Sequence, residues 1–144
     1  MTQRHPVQND EPMLITSVAK HRAHIFRDDT NAREAVESLY RTQEQHPFFL
    51  YAFVIMPNHV HLLLQVPSPE SISRIMNVYK GTASASIGRG PLWQSRFHIR
   101  YVDNLSTAKS YIHNNPIVKG LCERPEDYPW SSACGAWDVT PILW

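Results

Sequence analysis

The 144-residue chain has only two cysteines, no long apolar run, and almost no net charge, which stands at +1. Each shortage excludes something. Cys122 and Cys134 have no CxxC spacing, which fits two reduced thiols and disfavours a structural zinc centre. No apolar run, whether residues 48–56 or the stretch around 62–64, approaches the roughly 20 residues that cross a bilayer, so no membrane partner is expected. The first twelve residues are polar and lack an apolar signal region, so the expectation is a cytoplasmic protein. Residues 45–69 contain no Asp or Glu, which withholds a carboxylate base or ligand from any chemistry placed there.

Apolar residues make up 42%, enough for a core, and the length suits one domain. Residues 1–12 read as a flexible tail and 13–144 as a single domain. The charge is uneven. Residues 71–121 hold seven Lys and Arg against one acid, Asp103, so one surface is set up to face an anionic partner or to be a solvated basic face.

Patterning predicts a strand over residues 13–18. A helix follows, capped by Thr30 or Asn31, with Ala32, Ala35, Val36, Leu39 and Tyr40 on one face and Pro47 at its end. Strands over 48–56 and 59–66 flank a Met56-Pro57-Asn58 turn as an antiparallel hairpin. Ser71 caps a second helix whose Ile72, Ile75, Met76, Tyr79 and Ala83 share a buried face, ended by Gly88 and Gly90-Pro91. A strand over 97–102 precedes a last helix, capped by Asn104 or Ser106 and stopping before Pro116. The order β-α-β-β-α-β plus a helix is α+β, the ferredoxin-like split β-α-β with a four-stranded antiparallel sheet.

Two features carry chemistry. Side chains alternate along a strand, so His59 and His61 share one face while Val60, Leu62, Leu64 and Val66 face the core. Two imidazoles at that spacing can reach one metal ion, or can be two surface histidines. On the last helix Tyr111 and Asn115 are one turn apart, so a hydroxyl and a carboxamide share a face. Tyr111 reads equally as an amphipathic packing residue.

Four blocks together resemble a known family. They are residues 51–64 with Met56-Pro57-Asn58-His59-Val60-His61, Leu92-Trp93-Gln94-Ser95-Arg96-Phe97, Tyr111-Ile112-His113-Asn114-Asn115-Pro116, and Pro125-Glu126-Asp127-Tyr128-Pro129-Trp130-Ser131-Ser132. In this order they resemble the HUH single-tyrosine transposases, IS200-like, and within them the REP-associated tyrosine transposases. The resemblance implies that Tyr111 is the nucleophile and that His59, His61 and Asn115 bind Mg²⁺ or Mn²⁺. It implies cleavage and rejoining of single-stranded DNA at hairpin-forming repeats, through a 5′-phosphotyrosine. Arg89, Arg96, Arg100 and Lys119 are then candidate phosphate contacts. Trp93 and Phe97 are candidate stacking platforms for unpaired bases, or core residues. The resemblance leaves monomer or homodimer open, since one branch exchanges the tyrosine helix between subunits and the other works in cis.

Two other classes compete. A ferredoxin-like sheet can bind single-stranded nucleic acid without catalysis, but the aromatic strand signature of that class is absent. A small metallohydrolase would need a carboxylate that the histidine region lacks.

Overall fold

The computed structural model describes residues 11–142. The tail expected over residues 1–12 therefore lies, but for its last two residues, outside the described residues. The elements are β1 (Met13–Ala19), α1 (Asp29–Gln45), β2 (Phe49–Met56), β3 (His59–Gln65), α2 (Ile72–Ile87), β4 (Trp93–Tyr101) and α3 (Leu105–Val118). The strands form one antiparallel sheet in the order β2-β3-β1-β4, the ferredoxin-like arrangement.

The sheet has two buried faces. On one, Met13 and Ile15 of β1, Phe53 and Ile55 of β2, and Val60, Leu62 and Leu64 of β3 meet the apolar stripes of α1 and α2. Tyr79 of α2 sits fully in this core, and its hydroxyl donates to the Ala35 carbonyl. On the other face, Leu14, Tyr51, Ala52, Val54, Met56 and Leu63 are covered by Leu105, Ala108 and Ile112 of α3. The alternation of β3 thus assigns Val60, Leu62 and Leu64 to the two-helix side and His59, His61 and Leu63 to the α3 side.

Several boundaries differ from expectation. The cap of α1 is Asp28, whose carboxylate accepts the N–H of Thr30 at 2.8 Å; Thr30 and Asn31 lie inside the first turn as donors. Ser71 and Asn104 cap α2 and α3 as expected, accepting from the N–H groups of Arg74 and Thr107. Strand β4 begins at Trp93 instead of 97, because an irregularity between Ser17 and Ala19 of β1 lets pairing continue to Trp93.

The end of α3 is the clearest correction. The helix runs through Pro116 to Val118. Gly120, at φ +74, donates to the Ile117 carbonyl, and Leu121 donates to the Pro116 carbonyl at 2.8 Å. That is a Schellman closure, so the left-handed glycine sets the end of the helix and the proline does not.

The C-terminal segment folds back along the outer edge of β2. Ile55 donates to the Trp130 carbonyl, Val54 and Ser131 form a bridge, and Thr140 donates to the Leu50 carbonyl. Tyr128 donates its hydroxyl to the Ile55 carbonyl, and Trp137 stacks near Tyr40. An otherwise open sheet edge is thereby paired. Among the described residues no helix is long and apolar enough to cross a membrane.

Candidate active site

Strand register assembles the site across three elements. Thr16 of β1 lies between His61 of β3 and His98 of β4 in one cross-strand row, on the face covered by α3. The His59 and His61 rings lie 4.8 Å apart between centroids. Tyr111 reaches over from α3, its ring 5.8 Å from that of His61 in an edge-to-face contact. The Arg100 guanidinium lies 5.8 Å from the Tyr111 ring centroid. Tyr111, His61, Thr16, His98 and Arg100 line one cleft of about 160 Å³.

Burial differs sharply within this group. His61 is 7% exposed and Asn115 8%, whereas Tyr111 is 48% exposed. Helix α3 therefore anchors itself through Leu105, Ala108 and Ile112 and presents the phenol to solvent. Asn115, one turn beyond Tyr111, carries a buried Oδ1 with no hydrogen-bond partner. A buried carbonyl oxygen without a donor is costly, and a bound cation would satisfy it.

Both imidazoles are held in the neutral form. Burial lowers the His61 pKa to about 4, helped by His59 and Arg100. Burial also lowers that of His59, helped by Lys119 and Arg22. Each has a partner at Nδ1. The Asn58 carboxamide oxygen lies 2.7 Å from His59 Nδ1, and the Thr16 hydroxyl 2.9 Å from His61 Nδ1. The Nδ1 proton of His59 is donated to Asn58, which leaves Nε2 as a free lone pair. Among the described residues no three His, Cys, Asp or Glu cluster together, and the buried, unpartnered Asn115 Oδ1 is a further oxygen donor on the tyrosine helix. Two neutral nitrogens and an unpartnered oxygen are donors that fit a divalent cation.

The candidate contacts divide. Arg100 stands over Tyr111, and Lys119 lines a groove of about 300 Å³ with His59 and Asn58. Arg89 and Arg96 are exposed but line neither of these clefts. Trp93 is not a stacking platform. It is 8% exposed, packs 5.5 Å from Phe26 and 5.9 Å from Tyr79, and donates its indole N–H to the Lys80 carbonyl. Phe97 is half-buried against the α1–α2 core, on the side of the sheet away from Tyr111. Trp93 is drawn inward because β4 begins earlier than expected, and Phe97, opposite Ser17, falls on the core-facing register of the same strand.

Sequence reasoning missed Thr16, His98, Arg22 and Arg27 around the histidines. The run of Lys20, His21, Arg22, His24 and Arg27 is the sequence signal that points to the two arginines.

Similarity to known proteins is found in both sequence and fold. The family model described as IS200-like transposases matches residues 13–115. A Haemophilus influenzae protein assigned as a REP-associated tyrosine transposase is 30% identical over 110 residues, which cover 64% of this chain and 62% of that protein. The REP-associated tyrosine transposase of Escherichia coli K12 is 24% identical over 99 residues, covering 66% and 60%. The chain thus matches about three fifths of the length of these relatives. In fold, it resembles a REP-associated tyrosine transposase solved bound to a REP hairpin, with TM-score 0.81 and 20% identity over 99% of this chain and 95% of that one. A Deinococcus radiodurans R1 protein assigned as a transposase gives TM-score 0.58 and 18% identity over 84% and 98%. With the model match running through the histidine strand to the end of the tyrosine turn, the chain belongs to the IS200-like transposase family.

Proposed function

We propose that this chain cuts and rejoins single-stranded DNA beside hairpins, with Tyr111 as the nucleophile. The observation that carries the reading is the contact of Tyr111 with His61 inside one chain, a helical turn from the unpartnered Asn115 oxygen. His59, His61 and Asn115 would hold Mg²⁺ or Mn²⁺; such an ion neutralises a non-bridging phosphate oxygen and makes phosphorus more electrophilic. Tyr111 Oη forms a bond to phosphorus as the bond to the 3′-oxygen breaks. The phenol proton passes to water, and the departing 3′-oxygen takes up a proton. Arg100, whose guanidinium stands over the Tyr111 ring, puts a positive charge beside the place where the anionic phosphate would lie. The phosphotyrosine ester keeps the bond energy, so the 3′-hydroxyl of another strand can reverse the step without ATP. Lys119, Arg89 and Arg96 serve as phosphate contacts. A hairpin with single-stranded flanks is the substrate, by analogy with the solved neighbour bound to a REP hairpin.

The test is a labelled hairpin oligonucleotide with randomised flanks, incubated with Mn²⁺ and run on a denaturing protein gel. The wild type is expected to form a covalent adduct. Tyr111→Phe and His59→Ala/His61→Ala are expected to abolish it, by at least a thousandfold for the phenylalanine variant. An adduct that survives Tyr111→Phe refutes the nucleophile. Binding with no adduct under any condition favours the non-catalytic binding module.

A further inference from the structure

A second basic groove lies beside His59, at the end of the histidine pair remote from Tyr111. Its lining includes Arg22, Arg27 and Lys119, with His24 beside them. Arg22 and Arg27 come from the β1–α1 connection, which carries none of the residues assigned to the reaction above. The backbone there is unusual. His21 and Arg22 both adopt left-handed conformations, at φ 59 and φ 53, which costs side-chain-bearing residues energy. A hydrogen bond from Phe26 to the Pro57 carbonyl ties this connection to the β2–β3 turn, and another from Ala19 to the Asn58 carbonyl does the same. The strained loop is thus held beside the histidine strand, with its basic side chains exposed.

The order along the site gives this groove a direction. Tyr111 meets His61, while Lys119 lies with His59. The eight steps along the chain from Tyr111 to Lys119, the cap of α3, span about 12 Å along the helix. The histidine pair therefore sits between the tyrosine and the second groove. Displacement at phosphorus is in line, so the leaving oxygen departs on the side opposite the attacking oxygen.

We propose that the Arg22–Arg27–Lys119 groove binds the phosphates of single-stranded DNA on the 5′ side of the cut, the strand released with a free 3′-hydroxyl. This rests on the reading of Tyr111 as nucleophile. The 5′-phosphate stays on Tyr111, so the other product would diffuse away unless a separate contact held it. Retaining it keeps a 3′-hydroxyl at hand for rejoining.

The experiment uses full-length protein and a hairpin oligonucleotide with randomised single-stranded flanks, in Mn²⁺. The cut is mapped from the Tyr111 adduct. Binding is then measured by fluorescence anisotropy with methylphosphonates placed one at a time on either side of the cut. In the wild type, neutralising phosphates upstream of the cut is expected to weaken binding about fivefold or more. In Arg22→Ala/Arg27→Ala that upstream sensitivity is lost and downstream sensitivity remains. The slope of log affinity against log salt becomes shallower by roughly 1.4, about 0.7 for each arginine on a single strand. Arg22→Lys/Arg27→Lys is expected to restore the slope. Arg41→Ala, on the far side of the sheet with Glu34 and Glu37, is the control. If the lost sensitivity maps downstream, or the double alanine variant keeps the wild-type slope, the proposal is wrong. If the wild type yields no adduct, the nucleophile and the stated direction both fall, while the salt slope still decides whether the groove holds a strand.

Discussion

At the scale of single residues, the neighbours of the histidines govern the site as much as the histidines do. Asn58 accepts the Nδ1 proton of His59, and Thr16 meets His61 at the equivalent atom. Without Asn58, the His59 ring is free to rotate and to carry its proton on the nitrogen needed for a metal. Asn58→Ala and Thr16→Val are each expected to weaken Mn²⁺ binding about tenfold. Electron paramagnetic resonance of free Mn²⁺ reads this directly, and long-range ¹⁵N–¹H spectra of the apo-protein read the tautomer. The pair itself was legible in the sequence, since alternation alone puts His59 and His61 on one face. Thr16 was not legible, because its place opposite His61 follows from the register between β1 and β3, strands 45 residues apart in that pairing.

At the scale of elements, α3 shows how a local signal can mislead. A proline in the sequence signals a helix stop, yet Pro116 is buried inside the helix, and the chain turns only at Gly120. Gly120→Ala is expected to cost about 1 kcal/mol, read as a lowered thermal midpoint, because nothing but the left-handed backbone opposes the added methyl. Pro116→Ala is expected to cost less than that. The same helix is latched to the C-terminal segment by His113, whose Nε2 lies 2.8 Å from the Ser132 hydroxyl. Burial lowers the His113 pKa to about 4, with Lys109 adding to it.

His61 shares that value, so both rings titrate near pH 4 when folded and from about 6.5 when unfolded. As pH falls below 6.5 the unfolded chain takes up protons first. Stability held above pH 6.5 is therefore lost progressively down to about pH 4, by roughly 1–2 kcal/mol per histidine after allowance for screening. Thermal melts at pH 7 and pH 4.5 check the fall, which His113→Gln should reduce. The main elements and their order were legible from periodicity, as with the Ile72, Ile75, Met76, Tyr79 and Ala83 stripe. The early start of β4 was not, because it depends on an irregular pairing with β1 that no window of β4 contains.

At the scale of the whole molecule, one chain brings Tyr111 to His61 without help from a second copy. Mixing Tyr111→Phe with His59→Ala/His61→Ala is therefore expected to give no adduct on the denaturing gel. Recovery of adduct would mean that the helix is exchanged between subunits. Such an exchange would have to expose Leu105, Ala108 and Ile112, which α3 buries against the sheet. At about 1 to 3 kcal/mol for each larger side chain, that is a high barrier for a reaction step.

The half-exposed setting of Tyr111 has a consequence over generations. The side chains that hold α3 in place are not the one proposed to react. A single base change turning a tyrosine codon into one for phenylalanine would remove the hydroxyl and leave the packing almost untouched. The heir of such a change would still fold and would keep its basic grooves, but would be chemically silent. If Tyr111 is the nucleophile as proposed, lineages built on this architecture would lose strand cleavage in one step while retaining a stable fold.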